Sequence, residues 1–353
     1  MKFAFFAGSL VPFHAKSLEE RPLGGTETGL IRLSEALQAL GHDVTVFTSL
    51  ENPPESSPRY LPIRMVESFP EVDCFTVVRD WIPAFYRIPA KRRFVWTGDS
   101  FDQFVNFGLG DKRVAGALDA LLTVSNWQAD KLCEASGFPR AKAWKLGNGI
   151  DLKLFEGKEA KVRRRLIYSS TPYRGLRHIP QFFAALKKKF HDLECHIFSG
   201  YKIYDQTGDQ KFEELVFMLR AQPGVEVHDS ILQGRLAREF MKSSILFYPC
   251  EFEETSCITA MEAMAAGAVV LSSKLGALPE TLGEAGVLID GLPGNPDYDQ
   301  KFLLAAEELL SNDQLFEKYS MLGKQRAANL GWDSIAKNFV EFIERLPPSK
   351  VGQ

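Results

Sequence analysis

Residues 2–48 constrain the fold more than any other stretch of the chain. Residues 2–8 are an almost unbroken apolar run. A long loop then ends in Gly24-Gly25-Thr26-Glu27, and beyond it Leu30, Leu33, Leu37 and Leu40 recur at helical spacing. Gly41 follows as a left-handed helix cap, and residues 43–48 form a second β-rich run. The order is strand, glycine turn, helix, strand. Parallel strands are buried on both faces and read as continuous apolar segments, so this order predicts a parallel sheet covered by helices. The first thirteen residues also have the charge and apolar run of a secretory signal. The glycine turn and amphipathic helix that follow favour the strand.

The alternation continues. Short apolar runs lie at 74–78, 93–97 and 121–124, with a proline-rich stretch at 52–62 between them. A charged segment at 153–165 follows, and strand and helix signals then restart. Strands are expected at 166–169, 193–199, 225–227, 245–248 and 268–271. Helices are expected at 178–189, 212–221, 258–266, 301–310, 314–329 and 334–345. The charged segment is the natural boundary. The fold class is therefore α/β, with two Rossmann-like, doubly wound domains and a ligand cleft between them. The expected division is 1–155, then 156–330, then a terminal helical segment 331–353.

Charge restricts the partners. Lysine and arginine total 42 against 45 aspartates and glutamates, a net charge of −3. The first 155 residues hold 18 basic and 18 acidic side chains, so neither half is a polycation and nucleic acid is not an expected partner. The basic runs at 91–93, 163–165 and 187–189 read as solvated surface, with membrane headgroup contact as the competing reading. No stretch reaches the roughly 20 apolar residues of a membrane-spanning helix. Five cysteines, none in C-x-x-C spacing, indicate neither a disulfide framework nor a zinc site. A cytoplasmic location is expected, at most peripheral at the inner membrane face. Oligomeric state is not legible.

The segment 249–280 carries the strongest chemical signal. Glu254 follows a strand and Glu262 sits about one turn into the next helix, with seven residues between them. Ligands of open α/β sheets bind beyond the carboxyl ends of the strands. A helix starting near Cys257 would aim the amides of Ser256, Cys257 and Ile258 at that crevice, a site for phosphate or sugar oxygens. A carboxylate one turn into the helix can accept two hydrogen bonds from a ribose diol. On spacing alone, two surface glutamates of a short helix are an equally good reading. A second segment, 166–176, ends a strand at Ser169-Ser170 and presents Arg174 before Gly175. An arginine in such a turn suits a phosphate, and Arg177 adds a second cation; an ordinary surface arginine is the alternative. Gly24 and Gly25 lie at a helix N-terminus, but the G-x-G-x-x-G pattern of dinucleotide sites is missing.

Weaker signals have plain alternatives. Asp297-Tyr298-Asp299 is formally a D-x-D, as metal-dependent transferases use on a diphosphate, but it falls in a turn-forming stretch rather than beside the phosphate turns. Asp80 and Trp81 follow a strand and suit an acceptor sugar, though a packing tryptophan fits equally. The six histidines have no H-x₃-H spacing, and no metal site is expected from them. No G-x-S-x-G elbow points to a hydrolase.

Together these residues resemble retaining GT-B glycosyltransferases of family 4, the glycogen-synthase-like group. The family's E-x₇-E block appears as Glu254 to Glu262 followed by Ala263-Met264-Ala265-Ala266-Gly267. Val124-Ser125-Asn126-Trp127, Asn148-Gly149-Ile150-Asp151 with Phe155, Leu278-Pro279-Glu280 and Gly331-Trp332-Asp333 resemble further family segments. The turn from Ser169 to Leu176 resembles a subgroup with an S-S-P-x-R-G-L-like turn. It is shorter than the usual "G-R…K-G" and lacks the first arginine. Thr255-Ser256-Cys257 stands where Gly-Phe-Gly is commoner.

The resemblance implies a GT-B fold, with the terminal helix crossing back to the first domain. It implies transfer of a sugar from a UDP-, GDP- or similar nucleoside-diphosphate donor to a hydroxyl acceptor, with no metal required. It implies that Glu262 holds the ribose and Glu254 faces the donor sugar. Arg174 takes the place of the family's lysine, with Ser170, Arg177, Thr255, Ser256, Cys257 and Ile258 around the phosphates and sugar. It implies that Gly24 and Gly25 close over the diphosphate, and that the backbone near His228 meets the base. Asp99 is the nearest counterpart of an acceptor-side histidine, and Glu27, Asp80 and Trp81 are acceptor-side candidates. The competing readings are a nucleotide-sugar epimerase, a nicotinamide dehydrogenase and a non-catalytic sugar-nucleotide-binding protein.

Overall fold

The computed structural model describes residues 1–201 and 210–349. The chain divides into two units. The first comprises Met1–Glu19, Leu23–Gly149 and Trp332–Gln353; the second comprises Glu20–Pro22 and Ile150–Gly331.

The first unit holds a seven-stranded sheet: β1 (Lys2–Ala7), β2 (Asp43–Thr48), β3 (Arg59–Pro62), β4 (Val72–Val78), β5 (Ala90–Thr97), β6 (Ala120–Thr123) and β7 (Ala143–Lys145). Every pairing is parallel, in the order β3-β2-β1-β4-β5-β6-β7. The apolar run of β1 works in both directions. Phe3, Phe5 and Ala7 enter one core with Leu30, Leu33 and Leu37, while Ala4 and Phe6 enter the other with Phe47, Phe75 and Val95. That is the two-residue period of a strand buried on both faces. The helix Gly25–Ala39 supplies those leucines, and Gly41 (φ 85°) ends it, its amide reaching the Gln38 carbonyl at 2.8 Å.

The second unit has a six-stranded parallel sheet: β8 (Val162–Ser169), β9 (Glu194–Phe198), β10 (Val225–His228), β11 (Ser243–Tyr248), β12 (Val269–Ser273) and β13 (Gly286–Ile289). Its order is β10-β9-β8-β11-β12-β13. The chain therefore winds outward from β8 in one direction and from β11 in the other. The ends of β8 and β11 mark the topological switch point, where open sheets bind ligands. The two expected Rossmann-like α/β domains are thus the ones found.

Several expectations need correction. The first unit ends at Gly149 rather than at 155. The 3₁₀ turn Leu152–Phe155 packs its Leu152 and Phe155 against the core of the second unit. The charged segment is not a connector either, because β8 already starts at Val162. Its three arginines meet carboxylates: Arg163 with Asp313 at 3.0 Å, Arg164 with Asp192 at 2.5 Å and Arg165 with Glu194 at 3.0 Å. Strands β3, β7 and β13 carried no signal strong enough to read. The helix expected at 301–310 runs from Pro296 to Ser311, with the Asn295 side chain accepting from the Asp297 amide at 3.0 Å. Among the described residues no helix is long and apolar enough to cross a membrane.

Candidate functional site

The loops after β8 and β11 bring together the residues that spacing could only suggest. Glu254 is 2% exposed and Glu262 is 7% exposed, which removes the surface-helix reading for both. Arg174 Nη1 lies 2.5 Å from Glu254 Oε2, and the Tyr248 hydroxyl donates to Glu254 Oε1 at 2.5 Å. Ser170 Oγ stands 3.2 Å from that hydroxyl. Thus Arg174, from the turn after β8, and the β11-end Tyr248 converge on one carboxylate, with Ser170 beside the Tyr248 hydroxyl.

The backbone explains why the chain makes this contact. Gly175 has φ 113°, and a Cβ there would lie 2.0 Å from the Pro249 carbonyl oxygen. Only glycine lets the β8 turn sit against the β11 loop, which carries Arg174 toward Glu254. Gly276 has φ 59° and a Cβ there would meet the Glu254 backbone at 2.5 Å, while the Ala277 amide donates to the Glu254 carbonyl at 2.7 Å. Glu254 is fixed by the loop after β12 on one side and by the turn after β8 on another.

Burial opposes the charge of Arg174, and the Glu254 carboxylate heads the groups that pull the other way, so that the balance leaves the guanidinium well above its ordinary range. The guanidinium also lies 4.4 Å from the centre of the Phe252 ring. Its Nε is buried with no hydrogen-bond partner. Burial drives the Tyr248 phenol upward, so it remains a proton donor.

Glu262 lies in the helix Ile258–Ala265 and accepts from Gln233 Nε2 at 3.0 Å. Burial pushes its pKa up to about 7, with the Gln233 hydrogen bond pulling the other way. Cys257 precedes that helix in a left-handed conformation, φ 63° and ψ 72°. This is the conformation glycine adopts without steric cost. The Ala260 and Met261 amides donate to the Cys257 carbonyl at 3.1 and 3.4 Å, which leaves the Ile258 and Thr259 amides without an intrahelical acceptor. The Thr259 hydroxyl donates to the Ser169 carbonyl at 2.8 Å and Thr281 Oγ1 donates to the Ser256 carbonyl at 2.5 Å, locking helix, β8 and loop together. Ser256 Oγ is buried without a partner. Thr255 lies within the same loop, between Glu254 and Ser256.

Other candidates are placed differently. Arg177 turns away from this network and pairs with Glu251 at 2.5 Å, next to His178. His228 ends β10 on the sheet edge, stacked on Phe198 with ring centroids 4.6 Å apart. Asp297 and Asp299 sit in the first turn of the helix Pro296–Ser311: Asp297 pairs with Lys301 at 2.7 Å and Asp299 accepts from the Gly294 amide at 2.9 Å, as a helix N-terminus requires.

In the first unit, Gly24 caps the helix Gly25–Ala39, and Glu27 is buried in its first turn. Asp99 follows β5 and receives a hydrogen bond from Arg79 Nε at 3.0 Å, across the ends of β4 and β5. Burial raises the Asp99 pKa against the pull of Arg79 and Thr97. Asp80 Oδ1 accepts from the Ile82 amide at 3.0 Å and Trp81 Nε1 donates to the Phe107 carbonyl at 2.9 Å. Asp80 therefore holds its own turn and Trp81 ties that turn to the segment after β5, the packing alternative for Trp81. Sequence reasoning missed Tyr248 and Gln233. A tyrosine closing an otherwise apolar strand was the available signal, since a buried phenol needs a partner. Gln233 offered none.

Residues 161–327 match the family described as "Glycosyl transferases group 1". The match spans the second unit from β8 through the helix Asp313–Ala327. The chain is similar to an MMP alpha-(1->4)-mannosyltransferase of Mycolicibacterium hassiacum, 27% identical over 265 residues, which is 74% of this chain and 60% of that relative. A glycosyltransferase from Rickettsia africae superposes with a TM-score of 0.72 at 13% identity, over 98% of both chains. HepE from Anabaena, solved in complex with UDP-glucose, superposes with a TM-score of 0.71 at 14% identity, over 98% of this chain and 100% of its own. The structural likeness fixes the fold: two parallel-sheet α/β domains, as in these solved glycosyltransferase structures.

Proposed function

We propose that this chain is a retaining, metal-independent glycosyltransferase that moves a hexosyl group from a nucleoside-diphosphate sugar to a hydroxyl acceptor in polysaccharide, glycolipid or glycoconjugate synthesis. The observation that carries the reading is the pair of buried glutamates, Glu254 and Glu262, at the carboxyl edge of the switch-point strands, each held by a dedicated polar partner. Burying a carboxylate is costly, and an apolar pair of similar volume would stabilise the fold as well or better. Such groups concentrate where a ligand is bound.

Each residue then has a role. Glu262 accepts from the ribose hydroxyls and Glu254 faces the donor sugar. Arg174, with the amides around Ser256, Cys257 and Ile258, meets the diphosphate. As the anomeric carbon–oxygen bond breaks, negative charge grows on the leaving phosphate and positive charge on the sugar ring. Preorganised donors stabilise the first and a carboxylate the second. The acceptor oxygen bonds to the anomeric carbon from the face the phosphate leaves, and the acceptor proton passes to that phosphate. No protein nucleophile is needed. The mannosyltransferase relative makes mannose a first choice of donor sugar, and the HepE complex makes glucose the second.

Thermal-shift screening of UDP-, GDP-, ADP- and TDP-sugars comes first, because a donor that binds the folded state raises the melting temperature by mass action. A transfer assay with the stabilising donor follows. Glu254→Ala should lose turnover while retaining donor-induced stabilisation. Wild-type transfer rates in Glu254→Ala would refute the assignment. Donor binding with neither transfer nor hydrolysis would favour a non-catalytic binding protein.

A further inference from the structure

A second constellation lies on the edge of the sheet in the second unit. In the pairing of β9 with β10, His196 is the register partner of Glu226, and His228 is two residues further along β10. Side chains two apart on a strand share a face, so all three project from the same side. Their donor atoms converge. His228 Nε2 is 3.3 Å from His196 Nδ1, His196 Nδ1 is 3.7 Å from Glu226 Oε2, and His228 Nε2 is 3.6 Å from Glu226 Oε2. Three atoms at these spacings can all reach one ion at roughly 2.1 Å, the usual length of zinc bonds to imidazole and carboxylate.

The rings are also held in place. His228 lies on the face of Phe198, with centroids 4.6 Å apart at 10°, and meets His196 edge to edge, with centroids 5.5 Å apart at 12°. The other nitrogen of His196, Nε2, faces Glu194 Oε2 at 3.7 Å, and Arg165 anchors that carboxylate at 3.0 Å. A carboxylate behind a histidine orients the ring and raises its basicity in metal centres. We propose that His196, Glu226 and His228 form a three-ligand site for a divalent transition ion, zinc in the first instance, with its remaining coordination open to water. The ion would tie edge strand β10 to β9. The site stands on its own residues and does not depend on the glycosyltransferase reading. A search by local spacing overlooks it because the ligands come from two strands, thirty residues apart and more.

The test uses the full chain stripped of metal with a chelator. Zinc is titrated by calorimetry, and cobalt(II) serves as the optical probe. One equivalent of zinc should bind at micromolar or tighter affinity, cobalt should give visible d–d absorption, and zinc should raise the melting temperature. Glu226→Gln, on an exposed side chain, and His228→Ala should each weaken zinc binding at least about tenfold and remove the cobalt band. Absence of zinc binding at about 100 µM, far above the affinity of a built site, overturns the proposal. So does undiminished affinity in a folded Glu226→Gln variant, which would place the ion elsewhere. If His228→Ala does not fold, Glu226→Gln decides alone.

Discussion

Arg174 and Glu254 are mutually dependent. Glu254 is nearly inaccessible, and Arg174 supplies its only ion pair among the described residues. Removing one partner leaves a buried charge, which typically costs about 3–5 kcal/mol, whereas replacing both by apolar groups is often neutral. Arg174→Ala should therefore lose about that much stability in urea unfolding, and Arg174→Met combined with Glu254→Leu should recover most of it without recovering transfer. A double variant as unstable as the single one would mean that the pair is held for the fold rather than for chemistry. Glu262 yields a prediction in pH. Its folded pKa is raised from 4.5 to about 7. The folded state thus keeps the proton that the unfolded chain gives up. The stabilisation is complete below about pH 4.5 and is lost as pH rises through about 7. The full shift corresponds to about 3 kcal/mol. Stability of the wild type should fall between pH 5 and pH 8 more steeply than that of Glu262→Gln. A ribose diol donates to the ionised form, so at pH 6 donor binding should release a proton, seen by calorimetry in two buffers of different ionisation enthalpy. The same proton count in Glu262→Gln would remove Glu262 from the ribose site.

At the level of elements, the helix Ile258–Ala265 starts from a strained residue. Cys257 holds a left-handed conformation that costs an L-residue about 1–2 kcal/mol. Cys257→Ala and Cys257→Gly both delete the sulfur, but only glycine relieves the backbone. The glycine variant should be the more stable of the two by about 1 kcal/mol, measured by chemical denaturation. Equal stabilities would show that the turn relaxes when the side chain is shortened. What could be read of the elements follows from the same physics. Strands β1, β2, β11 and β12 are buried on both faces, and an unbroken apolar run can be recognised without knowing its neighbours. The start of β8 could not be read. Arg163, Arg164 and Arg165 look like a solvated run until Asp313, Asp192 and Glu194 are brought to them from distant segments. β3, with Pro62 at its end, and the three-residue β7 lie at sheet edges, where strands are short and their composition resembles loop. For the site, the positions of Glu254 and Arg174 were legible from their place after strands. Their contact was not, because it depends on Gly175 approaching Pro249 across β8 and β11.

At the scale of the whole molecule, the two units bury separate cores. One draws on 150–331 alone, and the other is completed by the last helix of the chain. Along Trp332–Arg345 the buried residues are Trp332, Ile335, Ala336, Phe339 and Ile343, one helical face. That spacing can be read in the sequence, but it identifies a face and not its partner. The partners come from the other end of the chain. Phe339 meets Phe3 at 6.0 Å, Phe94 at 5.9 Å and Trp144 at 6.2 Å between ring centroids, and Trp332 lies against Gly29 and Gly149. The first unit therefore closes only when the last helix has docked, while the second holds the Glu254 and Glu262 network within its own sequence. Phe339→Ala should cost the first unit about 3–5 kcal/mol, the usual penalty for emptying a buried aromatic position. In calorimetric melting the transition of the first unit should fall, while that of the second stays in place and still rises with a stabilising donor sugar nucleotide. If both transitions fall together in Phe339→Ala, the units unfold as one cooperative body, and the last helix stabilises the second unit as well.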